Sequence, residues 1–167
     1  MIRLVILISG RGSNMLCLAD TIEKYQIDAA IVLVISNKNC DGIALAAARG
    51  FATKVVKRSD FDNRLAHDAA IASAIEDCHA DYVFLAGYMA ILGSVFVDQF
   101  AGKLINIHPS LLPAFKGLDT HQRAIDAGVK THGVSIHLVN AALDDGSLIL
   151  QPLVTLAESV TRHQARH

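Results

Sequence analysis

The fold is decided by the stretch Leu4-Val5-Ile6-Leu7-Ile8-Ser9-Gly10-Arg11-Gly12-Ser13-Asn14. Its apolar part is far shorter than the roughly 18 residues of a membrane helix, and it also falls below the roughly 7–15 residues of a signal-peptide core. We therefore interpret Leu4–Ser9 as a buried strand. The glycines then form a turn, and Asn14 opens an amphipathic segment, so the stretch predicts a strand, a loop and a helix in succession.

The same alternation of short apolar runs and longer amphipathic segments continues through the first half of the chain, and a further strand and helix follow it. It is typical of parallel strands joined by crossover helices, so we predict an α/β fold with a doubly wound, mostly parallel, Rossmann-like sheet. The predicted strands are Leu4–Ser9, Ala30–Ser36, Thr53–Val56, Tyr82–Ala86 and Lys103–His108. The predicted helices are Asn14–Lys24, Gly42–Arg49, Phe61–Cys78 with Ser59 or Asp60 as its N-cap, and Thr120–Ala127 ended by Gly128.

The pattern changes towards the C-terminus. Val134–Val139 and Leu148–Val154 are alternating or apolar runs, and the turn sequence Asp144-Asp145-Gly146 lies between them. We therefore expect an antiparallel hairpin at one edge of the sheet. The residues from Thr155 to His167 are polar, and we expect either a frayed tail or a truncated chain there.

Composition narrows the class of protein. The 167 residues match one domain, 52% of them are hydrophobic, and the formal net charge is −1. Because no basic cluster is present, we expect no nucleic-acid partner, whereas a small anionic ligand is compatible with this charge balance. We expect no membrane partner either, because no apolar stretch approaches the roughly 18 residues of a membrane helix. The three cysteines, Cys17, Cys40 and Cys78, are far apart, which argues against a disulfide framework or a zinc site and favours a reducing cytoplasm.

The glycine loop Ser9-Gly10-Arg11-Gly12-Ser13-Asn14 follows a strand and opens a helix. Backbone N–H groups and the helix dipole can bind a phosphate at such a place. A dinucleotide fingerprint would need a third glycine where Met15 stands and an acidic residue where Ser36-Asn37-Lys38 stands, so a nicotinamide dehydrogenase is disfavoured. The alternative is a tight turn that binds no ligand.

Asn106 and His108 are two residues apart on a predicted strand, so their side chains lie on the same face while Ile107 points to the other. The carboxyl end of a parallel strand is where open α/β sheets bind ligands. An amide can stabilise a developing oxyanion and an imidazole can carry a proton, although a lone histidine at a strand end is more often structural. A carboxylate from Asp144 would orient the imidazole and favour its protonated form, but spacing alone does not show that Asp144 reaches it.

Two other kinds of site receive little support. The remaining histidines in the middle of the chain have no metal-ligand spacing, so most are expected to be surface or packing residues. These histidines are His67, His79, His121, His132 and His137. A metal cluster that combines some of them with His108 and Asp144 is a minor alternative, and Ser110 lacks the Gly-x-Ser-x-Gly context of a nucleophile.

At these motifs the chain resembles the folate-dependent formyltransferases, and within them the phosphoribosylglycinamide (GAR) formyltransferases. The blocks that carry the resemblance occur in the order of that family. They are Gly12-Ser13-Asn14, Ala86-Gly87-Tyr88-Met89-Ala90-Ile91-Leu92, Asn106-Ile107-His108-Pro109-Ser110-Leu111-Leu112-Pro113, Gly117-Leu118-Asp119-Thr120-His121, and Leu143-Asp144-Asp145-Gly146 followed by Ile149-Leu150-Gln151.

The resemblance implies formyl transfer from 10-formyltetrahydrofolate, a co-substrate, to the GAR amine, without a metal or a tightly bound cofactor. It makes Asn106, His108 and Asp144 the catalytic residues. The GAR phosphate would be held by Gly12, Ser13 and Asn14. The folate would be contacted by Arg64, Met89, Ala90, Ile91, Leu92, Asn106 and Leu143, with Ala90 at a position where many members have arginine.

Three alternatives accompany this interpretation. Another formyl transferase or a formyltetrahydrofolate deformylase has a similar core, although those proteins carry additional domains. A truncated phosphate-binding fold without activity is the alternative from another class. Members of the family continue for a few dozen residues beyond the last strand, so we expect residues 1–167 to form a single formyltransferase domain that is truncated at its C-terminus. The sequence does not indicate an oligomeric state.

Overall fold

A computed structural model of the chain describes residues 1–142 and 144–155. They form two compact units, one of residues 1–105 and one of the described residues from Asn106 onward. The strands are β1 (Ile2–Ile8), β2 (Ala29–Ser36), β3 (Thr53–Val55), β4 (Tyr82–Leu85), β5 (Leu104–His108), β6 (Thr131–Gly133), β7 (Ser135–Leu138), β8 (Leu148–Leu150) and β9 (Leu153–Thr155). The helices are α1 (Ser13–Lys24), α2 (Asp41–Ala48), α3 (Arg64–Asp77), α4 (Ser94–Gln99) and α5 (Thr120–Asp126), with a 3-10 turn at Arg58–Asp60.

The first unit is built around a parallel sheet with β1 at its centre. Strand β1 pairs in parallel with β2 on one side and with β4 on the other, and β3 pairs in parallel with β2. All residues of β1 from Val5 to Ile8 are fully buried. Such burial on both faces is the reason that the strand reads as an unbroken apolar run in the sequence.

Two helices of the first unit differ from expectation. Helix α3 begins at Arg64, and Asn63 is its N-cap, because the Asn63 side-chain oxygen accepts a hydrogen bond from Ala66 N–H at 2.9 Å. The prediction of Ser59 or Asp60 as the cap is therefore wrong, and those two residues lie in the 3-10 turn. Helix α4 was not predicted, since its six residues are too few to show a helical period.

The second unit contains two antiparallel pairs of strands, β7 with β8 and β6 with β9. The predicted hairpin is therefore present, but its second strand is not the continuous run Leu148–Val154. That run is divided at Gln151-Pro152, because proline has no N–H for a strand ladder. Pro152 instead accepts a hydrogen bond at its carbonyl from Val134 N–H at 3.2 Å, and β9 pairs with a different partner from β8.

The α/β fold with a mostly parallel sheet is confirmed. Within the first unit the strand order is β3-β2-β1-β4, and within the second unit β7 pairs with β8. Within the residues described, no helix is long and apolar enough to cross a membrane. The polar C-terminal tail predicted beyond Thr155 lies outside the described residues, and the single domain over residues 1–167 stays a prediction.

Candidate active site

The glycine loop leaves the first turn of α1 open to a ligand. Gly12 is the N-cap residue in the left-handed region, at φ 77° and ψ 19°, and no side chain caps the helix. The first backbone N–H groups of a helix have no partner within it, so these donors remain for an anion. Ser13 and Asn14 are both exposed at this turn. The geometry thus provides the donors that the sequence predicted.

A second glycine supports this loop from α2. Gly42 donates its backbone N–H to the carbonyl of Gly10 at 3.0 Å. A Cβ at residue 42 would lie 2.6 Å from that same carbonyl oxygen and 2.6 Å from the Ile8 side chain. No side chain fits there without a shift, so the close approach of α2 to the loop requires glycine.

Ser9 connects the glycine loop to the segment that follows β4. Its hydroxyl donates to the Asn37 side-chain oxygen at 2.7 Å and accepts from Met89 N–H at 2.9 Å, while its own N–H donates to the Gly87 carbonyl at 3.2 Å. Ser9 is 2% exposed. A buried hydroxyl with these partners ties the two loops into one rigid arrangement.

The segment from Met89 to Leu92 presents apolar side chains to the surface. Met89 is 70% exposed and Ile91 is 76% exposed. Contiguous exposed apolar side chains frequently mark a binding surface. The end of the segment is anchored by Asp68, whose carboxylate accepts the Gly93 N–H at 2.8 Å.

Asp68 also influences the neighbouring aromatic residue. It is 4% exposed, and Arg64 lies on the same face of α3, one turn earlier. Burial, assisted by the negative charge of Asp68, raises the pKa of Tyr88 well above its usual range. Tyr88 therefore remains a neutral phenol under all ordinary conditions.

In the second unit, Asp144 lies at the centre of a cluster of polar side chains. One of its carboxylate oxygens accepts Gly117 N–H at 2.9 Å and lies 3.4 Å from Nδ1 of His108, and the other lies 3.9 Å from Nε2 of His137. Its side chain is 8% exposed. Asp144 has a positive φ of 47°, an unusual conformation for a residue with a side chain.

The glycine of the Asp-x-Gly turn explains how Asp144 comes so close to β7. A Cβ at Gly146 would lie 1.6 Å from the carbonyl oxygen of Leu138. Only glycine allows this contact between the turn and the strand. The turn is closed further by a hydrogen bond from Leu138 N–H to the Ser147 carbonyl at 2.9 Å.

His108 is buried between two acceptors. Nδ1 faces the Asp144 carboxylate, and Nε2 lies 3.1 Å from the carbonyl oxygen of Phe115. A neutral imidazole has one N–H, whereas an imidazolium has two. Each ring nitrogen of His108 therefore faces an oxygen that accepts, so either nitrogen has an acceptor when it carries a proton.

Asn106 lies beside this pair and contacts a residue for which sequence reasoning found no role. Nδ2 of Asn106 is 3.2 Å from Nε2 of His137, which is 2% exposed. The histidine spacing offered no signal for this contact. The alternation of residues along β7 is the signal that could have indicated it, because Ser135 and His137 are both buried and lie on the same face of the strand.

A buried hydrogen-bond network supports the loop that follows β5. The Ser135 hydroxyl donates to the Ser110 carbonyl at 2.7 Å and accepts from Leu112 N–H at 2.9 Å. The Gln151 side-chain amide donates to this hydroxyl and to the Leu112 carbonyl, both at 2.9 Å. Ser110 is thus a structural residue here and is fully buried.

A separate histidine pair joins α5 and β6. Nδ1 of His121 is 2.9 Å from Nε2 of His132. Burial lowers the pKa of His132, and the neighbouring His121 lowers it further, while the Pro109 carbonyl opposes the effect. Among residues 1–142 and 144–155, no group of three or more histidine, cysteine or acidic side chains could hold a metal ion.

The predicted site residues thus fall into two groups. The glycine loop, Arg64 and the segment 89–92 belong to the first unit, whereas Asn106, His108 and Asp144 come together in the second. Leu143 lies outside the described residues.

Comparison with known proteins agrees with the motifs. The profile described as formyl transferase matches residues 2–166. The chain is 41% identical to a phosphoribosylglycinamide formyltransferase from Haemophilus influenzae over 98% of its own length and 79% of that protein. It is 44% identical to the Escherichia coli protein of the same name, over 90% and 72% respectively. It also superimposes on the crystal structure of glycinamide ribonucleotide transformylase 1 from Symbiobacterium toebii with a TM-score of 0.93, at 36% identity, covering 99% of this chain and 79% of that one.

Proposed function

The chain belongs to the formyl transferase family, and we propose that it transfers the formyl group of 10-formyltetrahydrofolate to the amine of GAR in de novo purine biosynthesis. The names of the similar proteins from Haemophilus influenzae and Escherichia coli support this substrate. The observation that carries the proposal is the contact of 3.4 Å between His108 and Asp144, with Asn106 beside them. These groups supply hydrogen-bond donors and a fixed imidazole, which acyl transfer requires.

The proposed reaction passes through a tetrahedral intermediate. The GAR amine attacks the formyl carbon, a C–N bond forms, and the formyl oxygen becomes an oxyanion. The bond from the formyl carbon to N10 of the folate then breaks, and the proton lost by the attacking amine is transferred to N10, through water. The products are formyl-GAR and tetrahydrofolate, so atoms and charge balance.

Each catalytic side chain has a defined task in this reaction. One Nδ2 hydrogen of Asn106 is directed at His137, which leaves the other to donate to the oxyanion. His108 donates from Nε2 when the formyl oxygen replaces the Phe115 carbonyl that faces it. Asp144 holds the ring through Nδ1 and is itself held by Gly117 N–H.

The proposed substrate contacts follow from the chemistry of the first unit. The open N-terminus of α1 suits the phosphate of GAR, so Gly12, Ser13 and Asn14 are assigned to it. The exposed apolar segment 89–92 suits the folate ring system, and Arg64 suits the carboxylates of its glutamate. Asn106 and Leu143 complete the folate contacts in the proposal. 10-Formyltetrahydrofolate is a co-substrate, and the chemistry calls for no tightly bound cofactor.

The proposal also includes a cellular compartment for the enzyme. Cys17, Cys40 and Cys78 are all free thiols. Free cysteines are usual in a reducing compartment. We therefore place the enzyme in the cytoplasm.

The direct test is an assay with both substrates. We expect formation of formyl-GAR at the rate at which tetrahydrofolate appears, and no product with a glycinamide riboside that lacks the phosphate. The riboside is the matched control, because it keeps the amine and loses only the group assigned to the glycine loop. Release of formate without formyl-GAR would contradict the proposal and favour a deformylase.

A further inference from the structure

We infer that His137 is a positioning residue that holds the Asn106 amide in the orientation needed for formyl transfer, an inference that rests on the proposed function. His137 lies on β7, is 2% exposed, and touches two of the three catalytic residues. Its Nε2 is 3.2 Å from Nδ2 of Asn106 and 3.9 Å from a carboxylate oxygen of Asp144. The ring itself does not need to contact a substrate for this role.

The hydrogen bonds of His137 define its tautomer. Nδ1 lies 2.9 Å from the carbonyl oxygen of Leu138. A carbonyl can only accept, so Nδ1 carries the proton. In the neutral ring, Nε2 then has a free lone pair, and the group that faces it is the Asn106 amide nitrogen, which can only donate.

This tautomer determines which way the amide of Asn106 faces. If the amide turned over, its oxygen would meet the lone pair of Nε2, and two acceptors would repel each other. With His137 in place, Nδ2 stays towards the ring, and the second N–H of Asn106 has one defined direction. Without His137, the amide could present its oxygen to the developing oxyanion, where it would be repulsive.

The surroundings of the ring keep this arrangement rigid. The turn at Gly146 packs so closely that a Cβ there would lie 3.3 Å from Nδ1 of His137 and 1.6 Å from the carbonyl of Leu138. The close packing of this turn therefore fixes the His137 ring and the Leu138 carbonyl relative to each other. Among residues 1–142 and 144–155, the other acceptor near Nε2 is a carboxylate oxygen of Asp144, and its distance of 3.9 Å is too long for a hydrogen bond.

Kinetics of two His137 variants test the inference. His137→Leu removes the acceptor, whereas His137→Gln places an amide oxygen near the position of Nε2. For His137→Leu we expect kcat to fall about 10- to 100-fold, which is less than the loss of a whole oxyanion donor, with both KM values within about threefold. His137→Gln should recover most of kcat. An unchanged kcat, a loss confined to KM, or a glutamine variant as slow as the leucine variant would overturn the inference.

The Asn106→Ala background distinguishes positioning from a general structural effect. If His137 acts through Asn106, adding His137→Leu to Asn106→Ala should lower kcat no further. A second, independent loss in the double variant would refute the proposed coupling.

A measurement on the unaltered protein does not depend on activity. Nitrogen NMR of the His137 ring should show a protonated Nδ1 and an unprotonated Nε2, with coupling between Nε2 and an Asn106 amide hydrogen. A protonated Nε2 at neutral pH would overturn the inference even if His137→Leu does not fold. If the enzyme transfers no formyl group to GAR, the proposed function is wrong. The NMR spectrum still tests the contact between His137 and Asn106 in that case.

Discussion

Replacing Gly42 by alanine tests the link between α2 and the glycine loop. The new Cβ would lie 2.6 Å from the Gly10 carbonyl oxygen, and ordinary contact begins at 3.4 Å, so loop and helix must separate by about 0.8 Å. A displacement of about 1 Å in a group that positions a substrate costs roughly 10²-fold in rate. We therefore expect kcat/KM for GAR to fall about 10- to 100-fold, mainly through KM for GAR.

The stability of the same variant is expected to change little. Overpacking costs about 1–3 kcal/mol, whereas replacing glycine by alanine within a helix favours folding by about 1 kcal/mol. The net decrease in the free energy of unfolding should therefore be roughly 0–2 kcal/mol. Thermal denaturation measures this change and shows whether lost activity reflects unfolding.

The assay measures initial rates with each substrate varied in turn, with inorganic phosphate as a competing ligand. Phosphate inhibition should weaken along with GAR binding, while KM for 10-formyltetrahydrofolate stays within about threefold. Ala44→Ser is the matched control, because Ala44 lies on the exposed side of the same helix and also gains one heavy atom. An unchanged KM for GAR in a folded Gly42→Ala variant would refute the reasoning.

Three further predictions concern the second unit. Asn106→Ala should lower kcat about 10²–10³-fold with folate affinity nearly unchanged, as measured by steady-state kinetics and folate titration; an effect on KM alone would show that Asn106 only positions substrate. Ser135→Ala should lower the free energy of unfolding by about 1–3 kcal/mol in denaturant titration, because Leu112 N–H loses its buried acceptor, and a change below about 0.5 kcal/mol would contradict this. Since the pKa of His132 is lowered in the folded state, the unfolded chain takes up the proton first as pH falls below about 6.5, so stability should decrease there. His132→Gln should flatten that part of the stability curve, and an identical pH dependence in variant and parent would show that His132 is not responsible.

Much of the fold could be predicted because its signals are local. The apolar run of β1 was recognisable since it is buried on both faces, and the glycine loop was recognisable since a turn follows it directly. Helix α4 and the division between β8 and β9 were missed. Their lengths of six and three residues are too short for a period to emerge, and the strand partners depend on residues far away in the chain.

The candidate active site likewise has features that the sequence predicted and features that only the structure revealed. Asn106 and His108 were placed on one face by the two-residue period of a strand, and the Asp-x-Gly turn marked Asp144 as a candidate partner. The sequence alone did not determine that Asp144 approaches His108 to 3.4 Å, because that distance depends on a contact at Gly146 where no side chain fits.

By itself, the sequence thus determined the order of the longer strands and helices, the open helix N-terminus at Gly12, and the presence of an amide and an imidazole at the end of β5. These properties depend on residues adjacent in the chain, where backbone periodicity and turn conformation act directly. Only the tertiary structure decided that Gly42 supports the glycine loop and that His137 faces Asn106. Both contacts join residues that are about 30 positions apart in the chain. Their distances depend on how separate elements pack, and a local sequence pattern carries no information about that packing.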